Sequence, residues 1–464
     1  MERFFRLKEH GTNVRTEIMA GLTTFMTMAY ILALNPNILS ATGLDWTSVF
    51  LATALAAGIF TVAMGLFVNF PVALAPGMGL NAYFATTVLT SNGTISPEIA
   101  LTAVFISGLI FIVLTVTKVR QMLLTAVPDS LKHAITAGIG LFITIIGLKN
   151  SGLLTVAVEN TVTEVPKGIF TDVLGFETVI HMGSLENNGV VLTIVGIFLI
   201  AILMVLRVPG AILWGIIGTT IIAILMGEVN VSDTLSGKTW APDFGQLNFW
   251  NFDFNGVMEA GLISVVLTFT FVELFDTFGT LVGTASRAGL MKNEEEGKKR
   301  VGKAMLVDAV AVGGGAVLGT STITAYVESS AGVAQGGRTG LTSVTTGICF
   351  LLALFLSPLV ALVPGSATAA ALVIVGVLMM SSVKHIDFSD MVYAIPSFLT
   401  LALMPFTYNI ANGISFGIVS YVLLAAIANV TKKGDQNGGY KIHALMWIIA
   451  ILVILRYVYI GSQG

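Results

Sequence analysis

Long apolar segments account for most of this sequence and leave few polar residues to form a water-exposed surface. Of the 464 residues, 55% are hydrophobic and 11% are charged, and the mean hydropathy is +0.89. A soluble domain carries about 25% charged residues. The chain is therefore predicted to be an all-α polytopic membrane protein, with the lipid bilayer as its main surrounding.

A membrane-spanning helix needs about 20 mostly apolar residues, and fourteen segments of the chain approach this length. In order, these predicted spans 1 to 14 are residues 16–39, 49–70, 74–90, 99–117, 127–148, 190–206, 210–226, 261–284, 304–318, 321–334, 341–362, 367–380, 391–405 and 413–430. One further apolar run, 444–460, follows them. The sequence leaves open whether this last run crosses the membrane.

Basic residues in the short connections fall on one side of the membrane under this assignment. Arg15 precedes span 1, Lys118 follows span 4, Arg207 follows span 6 and Arg338 follows span 10. Since Lys and Arg in short loops are retained in the cytoplasm, the N-terminus is predicted to be cytoplasmic, in a multi-pass protein of the cell membrane. The first apolar run is too long for a cleavable signal peptide.

The remaining composition excludes some classes of site and partner. Cys349 is the single cysteine, which rules out a disulfide framework or a cysteine metal site. The net charge of −3 gives no reason to expect a nucleic-acid partner. No nucleophile–base pair, metal-ligand spacing or phosphate-binding loop is evident, so the chain is predicted not to be an enzyme, and no metal or organic cofactor is expected.

Spans 3 and 10 are poor candidates for continuous helices. Span 3 contains the sequence LAPGMGLN at 74–81, and span 10 opens within the sequence TSTITAYVESS at 320–330, in which β-favouring residues come before small ones. Each is predicted to be an extended stretch that turns into a half-helix near the bilayer midplane, where irregular backbone must be buried or line a cavity. Interruptions in the third and tenth spans predict two seven-span repeats, inverted relative to each other, with the binding site between them.

Three carboxylates lie in or beside these segments. Glu273 and Asp276 of span 8 are three residues apart and share a helix face, and Glu328 lies in span 10. An ionisable side chain at membrane depth indicates function. Because no Lys or Arg lies among them, desolvation and mutual repulsion favour their protonated forms, and the coupling ion is predicted to be a proton carried by these three side chains. Glu273 is favoured for substrate contact and Asp276 for the proton.

The half-helices should also present unpaired backbone N–H groups, near Gly79 and Asn81 in span 3 and near Ser329 in span 10. The predicted substrate-binding residues are Thr27, Gly79, Asn81, Glu273, Asp276, Thr277, Glu328 and Ser329. Structural roles are the alternative for several of them: Asn81 and Ser329 as helix caps, and span 1 threonines bonded to their own backbone.

Two other ionisable residues are assigned to the membrane surface. Asp308 in span 9 is predicted to pair with Lys303 or Arg300 near the cytoplasmic face, and His133 is predicted to be interfacial.

Four stretches together resemble one transporter family. They are MAGLTTFMTMAY at 19–30, APGMGLNAYF at 75–84, ELFDTFGT at 273–280 and STITAYVE at 321–328. In order and register they are similar to the adenine/guanine/hypoxanthine, or azaguanine-type, purine permeases of the nucleobase–ascorbate transporter superfamily. Glu273 stands where relatives can carry Asp, which keeps the carboxylate but extends its reach.

The resemblance implies an architecture and an activity. It implies a core domain from residues 16–118 and 257–362, a gate domain from 127–229 and 363–431, and elevator movement of one against the other; residues 441–464 form a C-terminal apolar segment without an assigned place. It also implies proton-coupled import of purine nucleobases, with Asn81, Glu273, Asp276 and Glu328 at matched positions. A homodimer is left open.

Other readings remain open at this stage. A carrier of the same architecture could take another nucleobase or an anion, although an anion carrier should place a cation between the half-helices and lack paired acids. Sodium is the alternative coupling ion. A channel would need a continuous pore. The sequence does not decide which purine is preferred.

Overall fold

Apolar α-helices make up most of the computed structural model, which describes residues 2–91, 93–117, 126–156, 180–236, 239–259, 265–266, 269–270, 272–273, 277, 280–281, 284–285, 287–290, 294–431 and 439–461. The labelled helices are α1 (Glu2–Phe5), α2 (Val14–Met28), α3 (Ile31–Leu39), α4 (Trp46–Ala63), α5 (Met78–Leu89), α6 (Pro97–Val116), α7 (Asp129–Asn150), α8 (Asn188–Val205), α9 (Ala211–Leu225), α10 (Val231–Leu235), α11 (Phe254–Glu259), α12 (Glu294–Leu318), α13 (Ser329–Ala334), α14 (Gly340–Leu352), α15 (Ser357–Ala361), α16 (Gly365–Met380), α17 (Met391–Phe406), α18 (Ile410–Val430) and α19 (Ala444–Gly461). The strands are β1 (Leu74–Pro76), β2 (Leu154–Val156), β3 (Ile180–Met182) and β4 (Ile323–Ala325). Short 3₁₀ turns lie at Ser40–Thr42, Phe244–Gln246, Ala353–Leu356 and Ser381–His385, and a π-helical turn lies at Met64–Val68.

Nine of the helical stretches within the described residues are long and apolar enough to cross a membrane, and three shorter apolar helices accompany them. This agrees with a helical polytopic membrane protein. Most of predicted span 8, including Asp276, lies outside the described residues. The span 8 residues that the structure describes are helical. The C-terminal apolar run forms α19, which packs beside α18, and the Tyr457 hydroxyl donates to Asn412 Oδ1 at 2.6 Å.

The extended stretches predicted in spans 3 and 10 are confirmed, and they pair with each other. β1 and β4 are antiparallel, with Ala75 opposite Thr324 and both strands fully buried. The Gly77 N–H donates to the Thr322 carbonyl at 3.0 Å, and the Tyr326 N–H donates to the Ala73 carbonyl at 3.0 Å. The pairing satisfies backbone groups that could find no water at this depth. Because the strands are antiparallel, α5 and α13 begin at opposite ends of this short ladder.

The long helices pack in two sets. In one, α14 packs against α2 and α4, and α12 packs against α6; in the other, α16 packs against α7 and α8, and α17 packs against α7 and α18. Glycine permits the closest crossings. A Cβ atom on Gly347 would lie 2.7 Å from the Gly58 carbonyl oxygen, and one on Gly376 would lie 2.5 Å from the Gly140 carbonyl oxygen. Small residues at helix crossings let backbones approach where lipid supplies no hydrophobic drive.

Candidate functional site

A cavity of about 500 Å³ lies beside the paired strands and between the two helix sets. One wall comes from the segments around β1 and β4, and the other comes from α7, α16 and the 3₁₀ turn that follows α16. The residues lining it are Tyr30, Gly77, Met78, Gly79, His133, Thr136, Thr280, Thr324, Ala325, Tyr326, Val327, Glu328, Val375, Leu378, Met379, Ser381 and Ser382. The broken spans therefore border a cavity, as their sequences predict.

Glu328 is the carboxylate on the cavity wall. It is half-buried and immediately precedes α13. The Tyr30 hydroxyl, at the break between α2 and α3, donates to Glu328 Oε1 at 2.7 Å. Tyr30 of the first span thus fixes the position of the carboxylate. The carboxylate also borders the cavity, so it can accept hydrogen bonds from a solute there.

Glu273 lies deeper, in a network of buried side chains behind β4. Its Oε1 accepts a hydrogen bond from the Thr277 hydroxyl at 2.9 Å. The Thr277 oxygen also lies 2.7 Å from Thr324 Oγ1 and 3.3 Å from Asp308 Oδ1. Asp308 Oδ1 in turn accepts the Ala325 N–H at 3.2 Å. Thr277 therefore bridges two carboxylates and the strand β4.

The expected place of Asp308 near the cytoplasmic face is wrong. Asp308 lies midway along α12 and is fully buried, with its carboxylate aimed at Thr277 and Ala325. No local sequence pattern indicates this burial, because a single acid near Lys303 is typical of a surface ion pair and only the position of β4 beside α12 shows otherwise. Asp276, by contrast, falls outside the described residues.

Asn81 and Gly79 occupy the first turn of α5. Asn81 is buried; its Oδ1 accepts a hydrogen bond from the Ser321 hydroxyl, and no acceptor for its Nδ2 occurs within the described residues. Gly79 lines the cavity, and a Cβ atom there would lie 2.5 Å from Ile139 Cγ2 of α7. The glycine lets α5 approach α7, across the gap between the two helix sets.

Ser329 and Thr27 make mainly structural contacts. The Ser329 hydroxyl accepts the Ala73 N–H at 3.0 Å and so ties α13 to the segment before β1. The Thr27 hydroxyl donates to the Thr24 carbonyl at 2.8 Å, a bond within its own helix. Neither is among the described residues that line the cavity.

Several residues that line the cavity were not in the predicted binding set. Thr280 follows Thr277 by one turn, and the Tyr326 hydroxyl donates to the Pro76 carbonyl at 2.5 Å across the paired strands. His133 also borders the cavity, with its ring centroid 5.0 Å from that of His385. His133 borders the cavity because α7 packs beside the interrupted spans, an arrangement that the sequence around His133 does not reveal.

Comparison with known proteins identifies the family. The sequence profile of the Permease family (Xan_ur_permease) matches residues 15–416. The chain belongs to this family. The permease is 40% identical to an adenine permease of Escherichia coli, over 100% of this chain and 97% of that protein. It is 42% identical to a guanine/hypoxanthine permease of Bacillus subtilis, over 97% of this chain and 99% of that protein.

These relatives are transporters, so the permease is a transporter and not an enzyme, and the resemblance to purine permeases seen in the sequence is confirmed. Its fold resembles the transmembrane domain of a cyanobacterial bicarbonate transporter, with a TM-score of 0.56 at 17% identity, over 89% of this chain and 96% of that one. At this identity the likeness concerns the fold alone.

Proposed function

We propose that the permease imports purine nucleobases by proton symport, with Glu328, Glu273, Asp276 and Asn81 as the main substrate and proton contacts. The observation that carries the proposal is a carboxylate, Glu328, on the wall of a cavity bordered by two half-helix N-termini. The names of the relatives, adenine permease and guanine/hypoxanthine permease, support the substrate class.

The chemistry of the cavity suits a purine base. Hypoxanthine and guanine carry ring N–H donors for a carboxylate, and carbonyl or ring-nitrogen acceptors for backbone N–H groups at a helix start. The volume of about 500 Å³ falls within the roughly 300–1,000 Å³ of small-molecule sites. Gly79, Thr277 and Ser329 complete the proposed site by close backbone approach and by fixing the groups around it, and Thr27 stays in the proposed set as a residue of the first span.

The proposed mechanism is an elevator. Fourteen spans in two inverted repeats would divide into a core (16–118 and 257–362) and a gate (127–229 and 363–431). The antiparallel pairing of β1 with β4 supports the inversion, since it joins equivalent interrupted spans. The cavity supports the division, because its walls come from both helix sets. Movement of one set against the other would carry the substrate across the membrane.

The proposed orientation puts the N-terminus in the cytoplasm of a cell with the permease in its plasma membrane. The cavity reaches Ser381 and Ser382, in the turn that ends beside Lys384. Since Lys384 belongs to the basic, cytoplasmic side, the structure would represent a cytoplasm-facing state.

An anion carrier is the second candidate, because the fold resembles that of a bicarbonate transporter. The cavity argues against it. Its described lining includes one carboxylate and neither Lys nor Arg, whereas an anion at membrane depth needs a compensating positive charge.

The test is uptake of labelled hypoxanthine by Glu328→Gln and Glu273→Gln, with Glu186→Gln, an exposed loop substitution, as the matched control. Hydrogen bonds to charged groups contribute about 1.5–3 kcal/mol, so each site variant is expected to lose about 10- to 100-fold in uptake at low substrate concentration, while eluting as a folded protein on size exclusion. Uptake by either site variant equal to that of Glu186→Gln would overturn the site assignment.

A further inference from the structure

The N-terminal segment, residues 2–12, packs against the rest of the bundle before the first span begins. We call it the N-terminal strap. Its side chains Phe5 and Leu7 are buried, and they form a small apolar cluster with Leu341 and Val344 of α14. Because this cluster is small and lies apart from the main apolar core, the strap depends on further contacts to stay docked.

Hydrogen bonds join the strap to the connection between α13 and α14. The Phe5 carbonyl accepts a hydrogen bond from Asn69 Nδ2 at 3.0 Å, and Asn69 Oδ1 accepts the N–H of Gly340, the first residue of α14, at 2.6 Å. The Thr12 hydroxyl donates to the Gly336 carbonyl at 3.4 Å. The strap therefore helps to fix the connection that leads out of α13, the half-helix of the candidate site.

A third contact joins the strap to α12. His10 Nε2 lies 3.5 Å from Arg300 Nη1, and Arg300 Nη2 lies 3.4 Å from Glu296 Oε1. A guanidinium group donates hydrogen bonds and cannot accept them, so His10 can bond to Arg300 only through an unprotonated nitrogen. A doubly protonated ring has no such acceptor and would place a second positive charge against Arg300.

The charges that face His10 come from three elements. Arg300 and Glu296 belong to α12, Glu17 belongs to α2, and Glu9 precedes His10 in the strap. Burial of the ring and the charge of Arg300 lower the pKa of His10, and the three carboxylates oppose this shift without reversing it. The docked strap therefore disfavours a proton that a released strap accepts with an ordinary histidine pKa of about 6.5.

We propose that the N-terminal strap is a pH-sensitive regulatory element, docked while His10 is neutral and released when His10 takes up a proton. Release would free the connection at 336–341, so that α13 is held less firmly and transport slows. With the N-terminus in the cytoplasm, the strap would respond to the compartment that receives the imported proton, and uptake would slow as that compartment acidifies. This last step rests on the proposed function.

The size of the effect follows from the linkage between proton binding and docking. At about pH 5.5, a released His10 with a pKa of about 6.5 is protonated in a ratio of about ten to one. Because the docked ring disfavours this proton, the docking equilibrium should fall by at most about tenfold between about pH 7.5 and pH 5.5.

Hydrogen exchange of the purified full-length protein measures docking without any need for transport. The backbone protection of residues 2–12, corrected for the intrinsic effect of pH on exchange, is expected to be about three- to tenfold lower at about pH 5.5 than at about pH 7.5. The protection of α18 in the same sample is the internal control, and it is expected to stay the same.

Two substitutions of His10 form a matched pair. His10→Gln keeps an acceptor for Arg300 but does not titrate, so the strap should stay protected at both pH values. His10→Lys carries a positive charge at both pH values, so the strap should have low protection at both.

Exchange of labelled for unlabelled hypoxanthine in proteoliposomes, with the same pH on both faces, tests the effect on transport. Effects of pH on the substrate site are common to the unmodified protein and His10→Gln. On lowering the pH from about 7.5 to about 5.5, exchange by the unmodified protein should therefore fall about three- to tenfold more than exchange by His10→Gln.

Four outcomes would overturn the inference: unchanged strap protection in the unmodified protein at the two pH values; an equal fall in protection in His10→Gln; equal protection of His10→Lys and His10→Gln; and equal pH dependence of exchange in the unmodified protein and His10→Gln. Absence of hypoxanthine exchange in every variant, with pH-dependent protection of the strap retained, would instead refute the proposed function. The two failures are therefore distinguishable.

Discussion

Substitution of Glu17 tests how the first span is joined to the rest of the bundle. Glu17 lies in the first turn of α2 and is fully buried. Its Oε1 accepts the Arg338 N–H at 2.8 Å, and its Oε2 accepts the N–H groups of Thr339 and Thr342 at 3.2 Å each and the Thr342 hydroxyl at 2.6 Å. The carboxylate of Glu17 in α2 thus accepts hydrogen bonds from backbone N–H groups at the N-terminus of another helix, α14.

Glu17→Gln preserves the shape and turns one acceptor into a donor. The amide nitrogen in place of Oε2 would face the N–H groups of Thr339 and Thr342, while the Thr342 hydroxyl can rotate to accept from it. A buried donor left without a partner costs about 1–3 kcal/mol, and losing a negative charge at a helix N-terminus costs about 0.3–1 kcal/mol. The Thr342 N–H keeps a second contact, with the Thr339 carbonyl at 3.3 Å. The expected loss of unfolding free energy is about 1–4 kcal/mol.

The assay is reversible unfolding in mixed micelles with an increasing fraction of denaturing detergent, followed by tryptophan fluorescence. Glu98→Gln is the control, because Glu98 also lies in the first turn of a long helix and its carboxylate has no hydrogen bond to the described residues. It is expected to change stability by less than about 0.5 kcal/mol. A Glu17→Gln variant as stable as Glu98→Gln would refute the cross-helix cap.

Two further predictions concern packing and pH. Gly347→Ala should destabilise the bundle by about 1–3 kcal/mol, because the new Cβ would lie 2.7 Å from the Gly58 carbonyl oxygen. Gly302→Ala has open space around its Cβ and should stabilise α12 by about 0.4–1 kcal/mol. Thermal unfolding of both variants checks this, and equal shifts in melting temperature would contradict it. Burial, aided by the Arg300 guanidinium, lowers the pKa of His10, so the folded state favours the neutral ring. The stability that the neutral His10 ring contributes is fully present above about pH 6.5 and is lost as the pH falls below that value. His10→Gln should therefore make the unfolding free energy less dependent on pH below about pH 6.5. An unchanged pH dependence would contradict the burial of His10 beside Arg300.

The interrupted spans were predictable because their signal is local. Pro76 breaks a helix and Gly77 beside it favours a turn, and β-favouring residues such as Ile323 and Thr324 precede small ones. The sequence does not contain the register of β1 against β4, since pairing between residues about 250 positions apart depends on how the intervening helices pack. Structure was needed to bring Ala75 opposite Thr324.

The carboxylates show the same limit. Glu328 and Glu273 are evident as acids in apolar segments, whereas the sequence predicts a surface position for Asp308 because Lys303 and Arg300 precede it by five and eight residues. Its burial follows from β4 lying against the middle of α12, which no spacing within span 9 reveals. Glu17 likewise gives no sign in the sequence of its contact with α14.

The most direct test of the account is accumulation of labelled hypoxanthine in proteoliposomes, measured with a proton gradient, after its dissipation, and with a sodium gradient alone. The account predicts accumulation only with the proton gradient, inhibited by unlabelled purines such as adenine or guanine and not by uracil. Accumulation that persists without the proton gradient, or that follows sodium, would contradict it.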